Sequence, residues 1–528
     1  MKKLFWVVII LILVSSCHSV KKYNEQITAL HSVEDLHHDI DELYKQLKRH
    51  HPKLYQYISK SDLEFKFDSL KKSITKPATS REFYKKLAPV VTNVKQGHIS
   101  VGSANKAFTK KEHKQLLKKK FEFYDLDFEY LENKLWIKST RGKDSTIIGS
   151  EVVSIDGEPA SKLVNTYKKR FASDGYNTTL YNRAVGKAFS NLYYRDKGYL
   201  DSLEITFKNK DSIFIKTFRR ISKEEKKNKA DSVSVKKAEP KKVSKAKKKA
   251  NKLAKKKKRK ANKKYGFISK RKHYTRNFSF IGKDSAVAFM KLRSFTNGKY
   301  KKFYKESFAK LDAVKTNYLV LDLRDNGGGR IAEIEKLYSY LTNIDYQFIT
   351  ESEVNSRIPF LKFFMSNTTP NSLKVLGGLL SPFVIVQNVL KVKKKDRKFY
   401  YKLKEAKIRQ PNPLNYQGKL YVLINGNSFS ASSLLSTHLK ATKRATFVGE
   451  ETGGAFNGCV AGIYKVYQLP SSKLKIRMGL MQIEAPYRQE PDGYGIKPDI
   501  ELVPTVKDRN ENIDTELEWV LTDIDQTK

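Results

Sequence analysis

The sequence predicts a multi-domain α/β protein, and three observations support this class. Apolar residues recur at helical spacing near the N-terminus, short alternating strands occupy the middle, and strands alternate with helices in the second half. At 528 residues the chain is long enough for several domains. With 29 Phe, 29 Tyr and 39% hydrophobic residues, it can build packed cores.

The first residues have the pattern of an export signal. Two lysines precede an apolar stretch, Leu4 to Val14, that is too short for a comfortable membrane span. The following Ser-Ser-Cys resembles a bacterial lipobox, which implies cleavage before Cys17 and lipidation of its sulfur. An ordinary signal peptide with a chance cysteine is the alternative. We therefore expect an exported protein with a lipid anchor in the cell envelope, periplasmic or at the cell surface. Lipidation would leave Cys459 as the only thiol, so no intrachain disulfide could form.

Residues 29–110 are predicted to form a helical domain, which follows the signal (1–17) and a tether (18–28). Ser32 with Asp35 resembles a capping box, and apolar residues follow at helical spacing. Two more helical patterns cover 62–74 and 80–94.

Residues 121–222 are predicted to be rich in short strands. Within them, GSEVVSIDG (149–157) predicts a strand that ends in an Asp-Gly hairpin. The same residues resemble the signature of PDZ-like domains, which bind an extended peptide by adding it to a sheet edge. An ordinary hairpin explains the pattern equally well.

A basic, low-complexity insertion is predicted over residues 223–275. Residues 223–272 contain 24 Lys or Arg against 4 Asp or Glu. The excess of 20 positive charges is about two fifths of the chain's net charge of +49. This composition predicts a disordered or partly helical segment. Because no aromatic residues alternate with the lysines, bases would have no stacking platform, and nucleic acid is disfavoured as a partner. A solvated linker is the simpler interpretation, and contact with anionic lipid through residues 223–272 is the functional one.

The second half predicts an α/β core in residues 276–344 and 417–510, followed by a C-terminal helix or tail (511–528). The intervening insertion, 345–416, contains the apolar LKVLGGLLSPFVIVQNVL next to the basic KVKKKDRK. Such a segment is typical of a lid over a cleft or of a surface that lies against a membrane. Burial in the core is the more common location of apolar residues.

Two glycine-bearing turns, 325–329 and 425–430, follow predicted strands of this core. In a mainly parallel sheet, ligands gather at the carboxyl ends of strands. Ser430 begins a helix of small residues, where the helix dipole and free backbone N–H groups favour a developing oxyanion. A phosphate-binding loop is the weaker alternative, because no Gly-Lys-Ser/Thr follows the glycines. Ser430 is therefore the candidate nucleophile.

The base that such a serine needs is sought among ten histidines. His438 lies eight residues after Ser430 on the same predicted helix, about 12 Å along its axis, which is too far for direct proton transfer. His98 follows Gly97 at a domain junction and is the better candidate. The other histidines lie in the tether, in or near the first helices, or among lysines.

These motifs together resemble the S41 family of serine peptidases, over most of residues 29–505. The matching segments occur in the family's order: QGHISV (96–101), DLRDNGGG (322–329), SFSASS (428–433), VGEETGG (448–454) and YGIKPDI (494–500). The resemblance implies a ClpP/crotonase-like protease core, a leading helical domain and a PDZ-like domain. It also implies a peptide or protein substrate and no cofactor. A metal is not expected, since the chain has no His-Glu-x-x-His and no Cys pair.

The family uses two kinds of base, and the sequence discriminates between them. Tail-processing members place a lysine 25 residues after the serine, where this chain has Ala455, so the usual Ser-Lys dyad is excluded. The chain is similar instead to the tricorn-like branch, whose base is a histidine, and His98 fits that role. The serine that precedes the histidine in that branch is replaced here by Gly97.

The resemblance implies further site residues. An acidic residue should orient the histidine: Asp492 matches by spacing and Glu490 by residue type. The oxyanion is expected to bind the N–H of Ala431 and one from Gly327 or Gly328.

Two functions remain open at this point. The first is a membrane-anchored serine endopeptidase that forms an acyl-enzyme on Ser430. The second is a catalytically inactive, peptide-binding lipoprotein that uses the PDZ-like groove.

Overall fold

The computed structural model describes residues 20–222, 245–269, 273–296, 298–359, 361 and 366–527. The predicted signal and Cys17 lie outside the described residues, as do residues 223–244 and 270–272 of the basic insertion. Within the described part, helices and sheets combine in the mixed architecture that the sequence predicts; the predicted domain boundaries stay predictions.

Four helices begin the described chain. Their caps are local: Ser32 Oγ accepts the N–H of Asp35, and Thr79 and Glu82 form a reciprocal capping box. Their apolar faces share one core with a β-ribbon from near the C-terminus. The elements are α1 (Val20–Thr28), α2 (Val33–His50), α3 (Lys60–Lys72), α4 (Ser80–Val91) and the short strand β1 (Ser100–Gly102).

The middle of the chain forms a seven-stranded, antiparallel sheet with three helices. Its order is β2-β8-β7-β5-β4-β3, with β6 paired to β5. The predicted Asp-Gly hairpin is confirmed: β5 and β6 pair across Asp156 and Gly157, which both have positive φ. The elements are α5 (Lys110–Leu116), β2 (Lys119–Phe121), β3 (Leu126–Leu131), β4 (Lys134–Thr140), β5 (Glu151–Ile155), β6 (Glu158–Pro159), α6 (Ala160–Lys168), α7 (Thr179–Lys197), β7 (Ser202–Asn209) and β8 (Ser212–Ser222).

The described part of the basic insertion begins with a helix, α8 (Lys245–Tyr265), with thirteen basic residues and no acidic one. It ends at Tyr265, whose ring contacts Phe303 and Tyr274. Two short strands follow, β9 (Phe267–Ile268) and β10 (His273–Tyr274).

The α/β core is a six-stranded sheet in the order β11-β12-β13-β19-β20-β23. Only β11 is antiparallel to its neighbour, and the other pairs are parallel. Since β13 and β19 are neighbours, the turns that follow their carboxyl ends come together, as predicted. The elements are β11 (Arg276–Ile281), β12 (Val287–Leu292), α9 (Tyr300–Val314), β13 (Tyr318–Asp322), α10 (Ile331–Tyr338), β19 (Lys419–Ile424), α12 (Ala431–Ala441), β20 (Thr446–Gly449), β23 (Ile500–Glu501), α13 (Val506–Glu511) and α14 (Thr515–Gln526).

A long β-ribbon, β21 (Cys459–Gln468) and β22 (Lys475–Ile483), joins the core to the N-terminal helices. Strand β1 pairs with β22, and residues of the ribbon contribute to both cores. The insertion at 345–416 packs beside this ribbon. It comprises β14 (Tyr346–Gln347), β15 (Ser352–Val354), α11 (Asn371–Lys391), β16 (Val392–Lys395), β17 (Lys398–Tyr401) and β18 (Ile408–Arg409).

Candidate active site

Ser430 occupies a strained backbone conformation at the start of α12. Its φ is +57° and its ψ is −116°, values that are unusual for a residue with a side chain. The turn is held from both sides: Phe429 N–H donates to the carbonyl of Asn326, and Ser432 Oγ–H donates to the same oxygen at 2.7 Å. These bonds present a partly exposed Oγ next to the N-terminus of the helix.

Gly328 lets the two glycine-bearing turns come this close. Its φ is +96°, and a Cβ at this position would lie 2.8 Å from the N of Ala431 and 2.9 Å from the Cβ of Ser430. A side chain here would therefore be strained and would also displace the serine.

His98 is brought to Ser430 by the pairing of β1 with β22. Its Nε2 lies 3.0 Å from Ser430 Oγ, although 332 residues separate the two in the chain. Glycine at position 97 leaves room for Phe429, since a Cβ there would lie 2.5 Å from Cζ of that ring. This contact is a physical reason why a glycine precedes the histidine in this chain.

The other ring nitrogen of His98 faces a tyrosine. The hydroxyl of Tyr464 lies 3.4 Å from Nδ1, and the guanidinium of Arg477 stacks 3.5 Å from the Tyr464 ring centre. Burial, aided by the positive charge of Arg477, lowers the pKa of His98 to about 4. The imidazole is therefore neutral at pH 7. With Nδ1 carrying the hydrogen, Nε2 can accept the proton of Ser430.

The two acidic residues expected to orient His98 make their described contacts elsewhere. Asp492 accepts hydrogen bonds from Gln56 Nε2 at 2.9 Å and Asn457 Nδ2 at 3.1 Å, and Glu490 is exposed. Asp492 supports the histidine only indirectly, because Gln56 in turn accepts from Gln96, two residues before His98. Among the described contacts, Tyr464 takes the place beside Nδ1 that a carboxylate was expected to fill.

The predicted oxyanion donors differ in their surroundings. The N–H of Gly328 donates to Asn326 Oδ1 at 3.0 Å, so it is engaged within its own turn. Gly327 borders open space, and Ala431 is the first residue of α12. The structure therefore favours Gly327 and Ala431 over Gly328 for binding an oxyanion.

A loop between α6 and α7, residues 173–178, was not identified from the sequence. We call it the bridging loop, because it bonds to three separate segments of the site. Asp174 Oδ1 accepts the N–H of Gly97 at 2.7 Å, Ser173 Oγ–H donates to the carbonyl of Gly453 at 2.8 Å, and Tyr176 N–H donates to the carbonyl of Gly493. Its sequence resembles an ordinary polar connection between helices, and only the long-range bonds distinguish it.

Asp174 is the buried acidic group of this site. Burial raises its pKa to about 7, against the opposing effect of the N–H groups of Gly97 and Ala455. The carboxyl holds the backbone immediately before His98, so it is a positioning residue. It also borders the cavity next to Ser430.

We expect Asp174→Ala to lower kcat about 10- to 100-fold with little change in KM, because the backbone before His98 loses its acceptor. Asp174→Asn keeps an oxygen that can accept the same N–H and should restore most of the activity. The wild-type pH profile should show an inflection near pH 7 that Asp174→Asn lacks. Steady-state kinetics between pH 4 and 9 provide the measurement, with the exposed Asp68→Ala as control. Wild-type kcat in Asp174→Ala would contradict the positioning role.

A cavity of about 410 Å³ opens beside Ser430. Its wall is mainly apolar, and the residues that define it include Ala431, Leu434, Ala455, Ala461, Met481 and Ile483. The cavity can therefore receive an apolar side chain next to the nucleophile. The thiol of Cys459 also borders it, and burial raises the pKa of that thiol.

Comparison with known proteins agrees with this geometry. Residues 286–502 match the model of peptidase family S41. The structure of mature CPAF complexed with lactacystin is similar over 94% of this chain and 98% of that one, with a TM-score of 0.59 and 15% identity. Mature CPAF alone gives a TM-score of 0.58 at 15% identity, over 93% and 96% of the two chains. No curated protein sequence matches the chain. Residues 286–502, which include Ser430, thus resemble peptidase family S41, and the chain as a whole shares the fold of mature CPAF.

Proposed function

We propose that this protein is a serine endopeptidase in which Ser430 is the nucleophile and His98 the base. Ser430 Oγ attacks the carbonyl carbon of a peptide bond while Nε2 of His98 takes its proton. The imidazolium then protonates the leaving amine, and the acyl group remains on Oγ as an ester. Water, deprotonated by the same nitrogen, hydrolyses the ester and restores the serine. The observation that carries the proposal is the 3.0 Å distance between Nε2 and Oγ.

The surroundings of the serine support the same chemistry. The N-terminus of α12 places a partial positive charge where the tetrahedral oxyanion would form, and the N–H of Ala431 is the first donor there. The N–H of Gly327 is the second proposed donor. The apolar cavity supports a preference for substrates with an apolar side chain next to the cleaved bond.

Export and lipid anchoring through Cys17 complete the proposal. Their support is the signal pattern at the start of the sequence, with its apolar stretch and Ser-Ser-Cys ending. The peptidase would then act on peptides or proteins in the cell envelope.

The inactive, peptide-binding alternative is not favoured. The histidine lies at hydrogen-bonding distance from a strained serine, an arrangement that catalysis requires and peptide binding does not. Strand β3 is an edge of the seven-stranded sheet, where a peptide strand could be added, but α7 covers it at Gly186. An added Cβ there would lie 2.6 Å from the N of Tyr130. A peptide strand needs about 4.8 Å of separation from its neighbour, so it cannot enter between the two elements at this point.

A serine-reactive fluorophosphonate probe tests the nucleophile. We expect the wild-type protein to be labelled on Ser430, located by mass spectrometry, and Ser430→Ala to remain unlabelled. Incubation with an unfolded protein should release internal fragments, which distinguishes an endopeptidase from an enzyme that trims chain ends. Equal labelling of wild type and Ser430→Ala, or the absence of labelling in both, would overturn the proposal.

A further inference from the structure

Helix α11 in the 345–416 insertion faces solvent with its apolar side. Its most exposed large side chains are Leu390 (78%), Phe383 (76%) and Leu379 (72%). The residues that it turns inward include Gly377 and Asn388, which are buried, and Ser381, which is half-buried. A helix on the surface of a water-soluble domain shows the opposite arrangement. Contact with an apolar partner would remove this exposed apolar surface from water, so the outward face is expected to bind one.

A basic hairpin follows this helix directly. Strands β16 and β17 carry five exposed basic residues around their turn and one acidic residue, Asp396; the basic ones are Lys393, Lys394, Lys395, Arg397 and Lys398. The apolar face thus ends in a concentrated positive charge. A soluble protein partner could satisfy either feature, but an anionic bilayer surface satisfies both at once.

The attachment of α11 determines how it would meet a bilayer. Among the described residues, the segment Leu373–Lys391 is the one helix long and apolar enough to span a membrane. However, both of its ends are fixed to the same ribbon. Before it, Thr368 Oγ1–H donates to the carbonyl of Val466 at 3.0 Å. After it, β16 pairs with β17, and β17 pairs with β15, which packs on β22. A crossing helix would have its ends on opposite sides of the bilayer, so α11 is placed to lie along the surface.

We propose that α11 and the β16–β17 hairpin form a membrane-binding surface, with the apolar face in the acyl boundary of an anionic bilayer and the lysines on its headgroups. This surface acts independently of lipidation at Cys17. It also bears on where the peptidase works: β17 leads directly to Leu403 and Glu405, which border the cavity beside Ser430. Membrane binding would hold that cavity close to the bilayer, where segments of membrane-bound proteins are accessible.

Tryptophan quenching in the full chain tests the surface locally. Phe383→Trp places an indole at the centre of the apolar face. Ile213→Trp places one at a control position on β8, where the side chain is also largely exposed (66%, against 76% for Phe383). Vesicles contain brominated phosphatidylcholine with 30% phosphatidylglycerol. We expect them to quench the indole added by Phe383→Trp by about half and the control indole by less than a tenth, relative to the unsubstituted chain. Because the probe reports depth at its own position, a lipid anchor elsewhere cannot mimic the result.

The charged hairpin is tested in the same background. Reversing Lys393, Lys394 and Lys395 to Glu should reduce the quenching of Phe383→Trp at least fivefold without changing peptide hydrolysis in solution. Equal quenching of Phe383→Trp and the control would overturn the proposal. Quenching that the charge reversal leaves unchanged would also overturn it. A dimer detected by sedimentation, together with the absence of quenching, would show instead that a second copy covers α11. Peptide hydrolysis is measured in the same variants. If hydrolysis is retained while quenching fails, the membrane proposal is wrong and the peptidase assignment is unaffected.

Discussion

Replacing Ser430 by alanine is expected to lower kcat/KM for peptide hydrolysis by about 10⁴- to 10⁶-fold. The substitution removes the atom that forms the ester in the proposed mechanism, while the apolar cavity and the proposed oxyanion donors remain. The fold should be retained, since the described contacts of Ser430 Oγ are with the side chains of His98 and Cys459 at the edge of the cavity. Initial rates with a fluorogenic peptide and thermal unfolding of both proteins provide the measurement.

Ser471 offers a control for this substitution, because it lies on the surface turn between β21 and β22 and contacts Asp35 rather than the site. Ser471→Ala should hydrolyse peptide at the wild-type rate. Activity of Ser430→Ala within tenfold of wild type would show that a different residue attacks the substrate.

Replacing His98 by alanine is expected to lower kcat by about 10³- to 10⁵-fold, because Ser430 then has no base at 3.0 Å. KM should change little, since His98 takes no part in the proposed binding of the substrate side chain. The exposed His113→Ala, on α5, is the control. A His98→Ala variant that retains wild-type kcat would refute the assignment of the base.

The pH dependence of the same reaction gives an independent test. The pKa of His98 is lowered to about 4, so the neutral, proton-accepting imidazole persists well below pH 6.5. In the Asp174→Asn background, which removes the inflection near pH 7, kcat/KM should stay level down to about pH 5 and fall tenfold per pH unit below pH 4. Activity that is lost with a midpoint near 6.5 would show that burial does not perturb the base.

The chemistry of the site was largely predictable where it depends on local sequence. The turn at Ser430 and the strand before it follow from a short motif, and His98 follows from its own motif. In the structure the two side chains are in contact. The mixed α/β class was predictable for the same reason, because strand and helix periodicity are local properties.

The contacts between distant segments were not predictable. Asp492 has the expected spacing, but the amide donors of Gln56 and Asn457 hold it away from the histidine. Asp174 and Tyr464 belong to no motif, and their roles arise only when the bridging loop and the ribbon are assembled. Likewise, the apolar composition of α11 was visible in the sequence, whereas the direction of its apolar face depends on how the insertion packs.

The late position of the ribbon has a consequence for the newly made chain. The nucleophile turn is complete once the core strands up to α12 exist, but β1 finds its partner only when β22, which ends at Ile483, has been synthesised. Until then His98 has no fixed place near Ser430. In the proposed mechanism, Ser430 therefore gains its base only in a nearly full-length, folded chain.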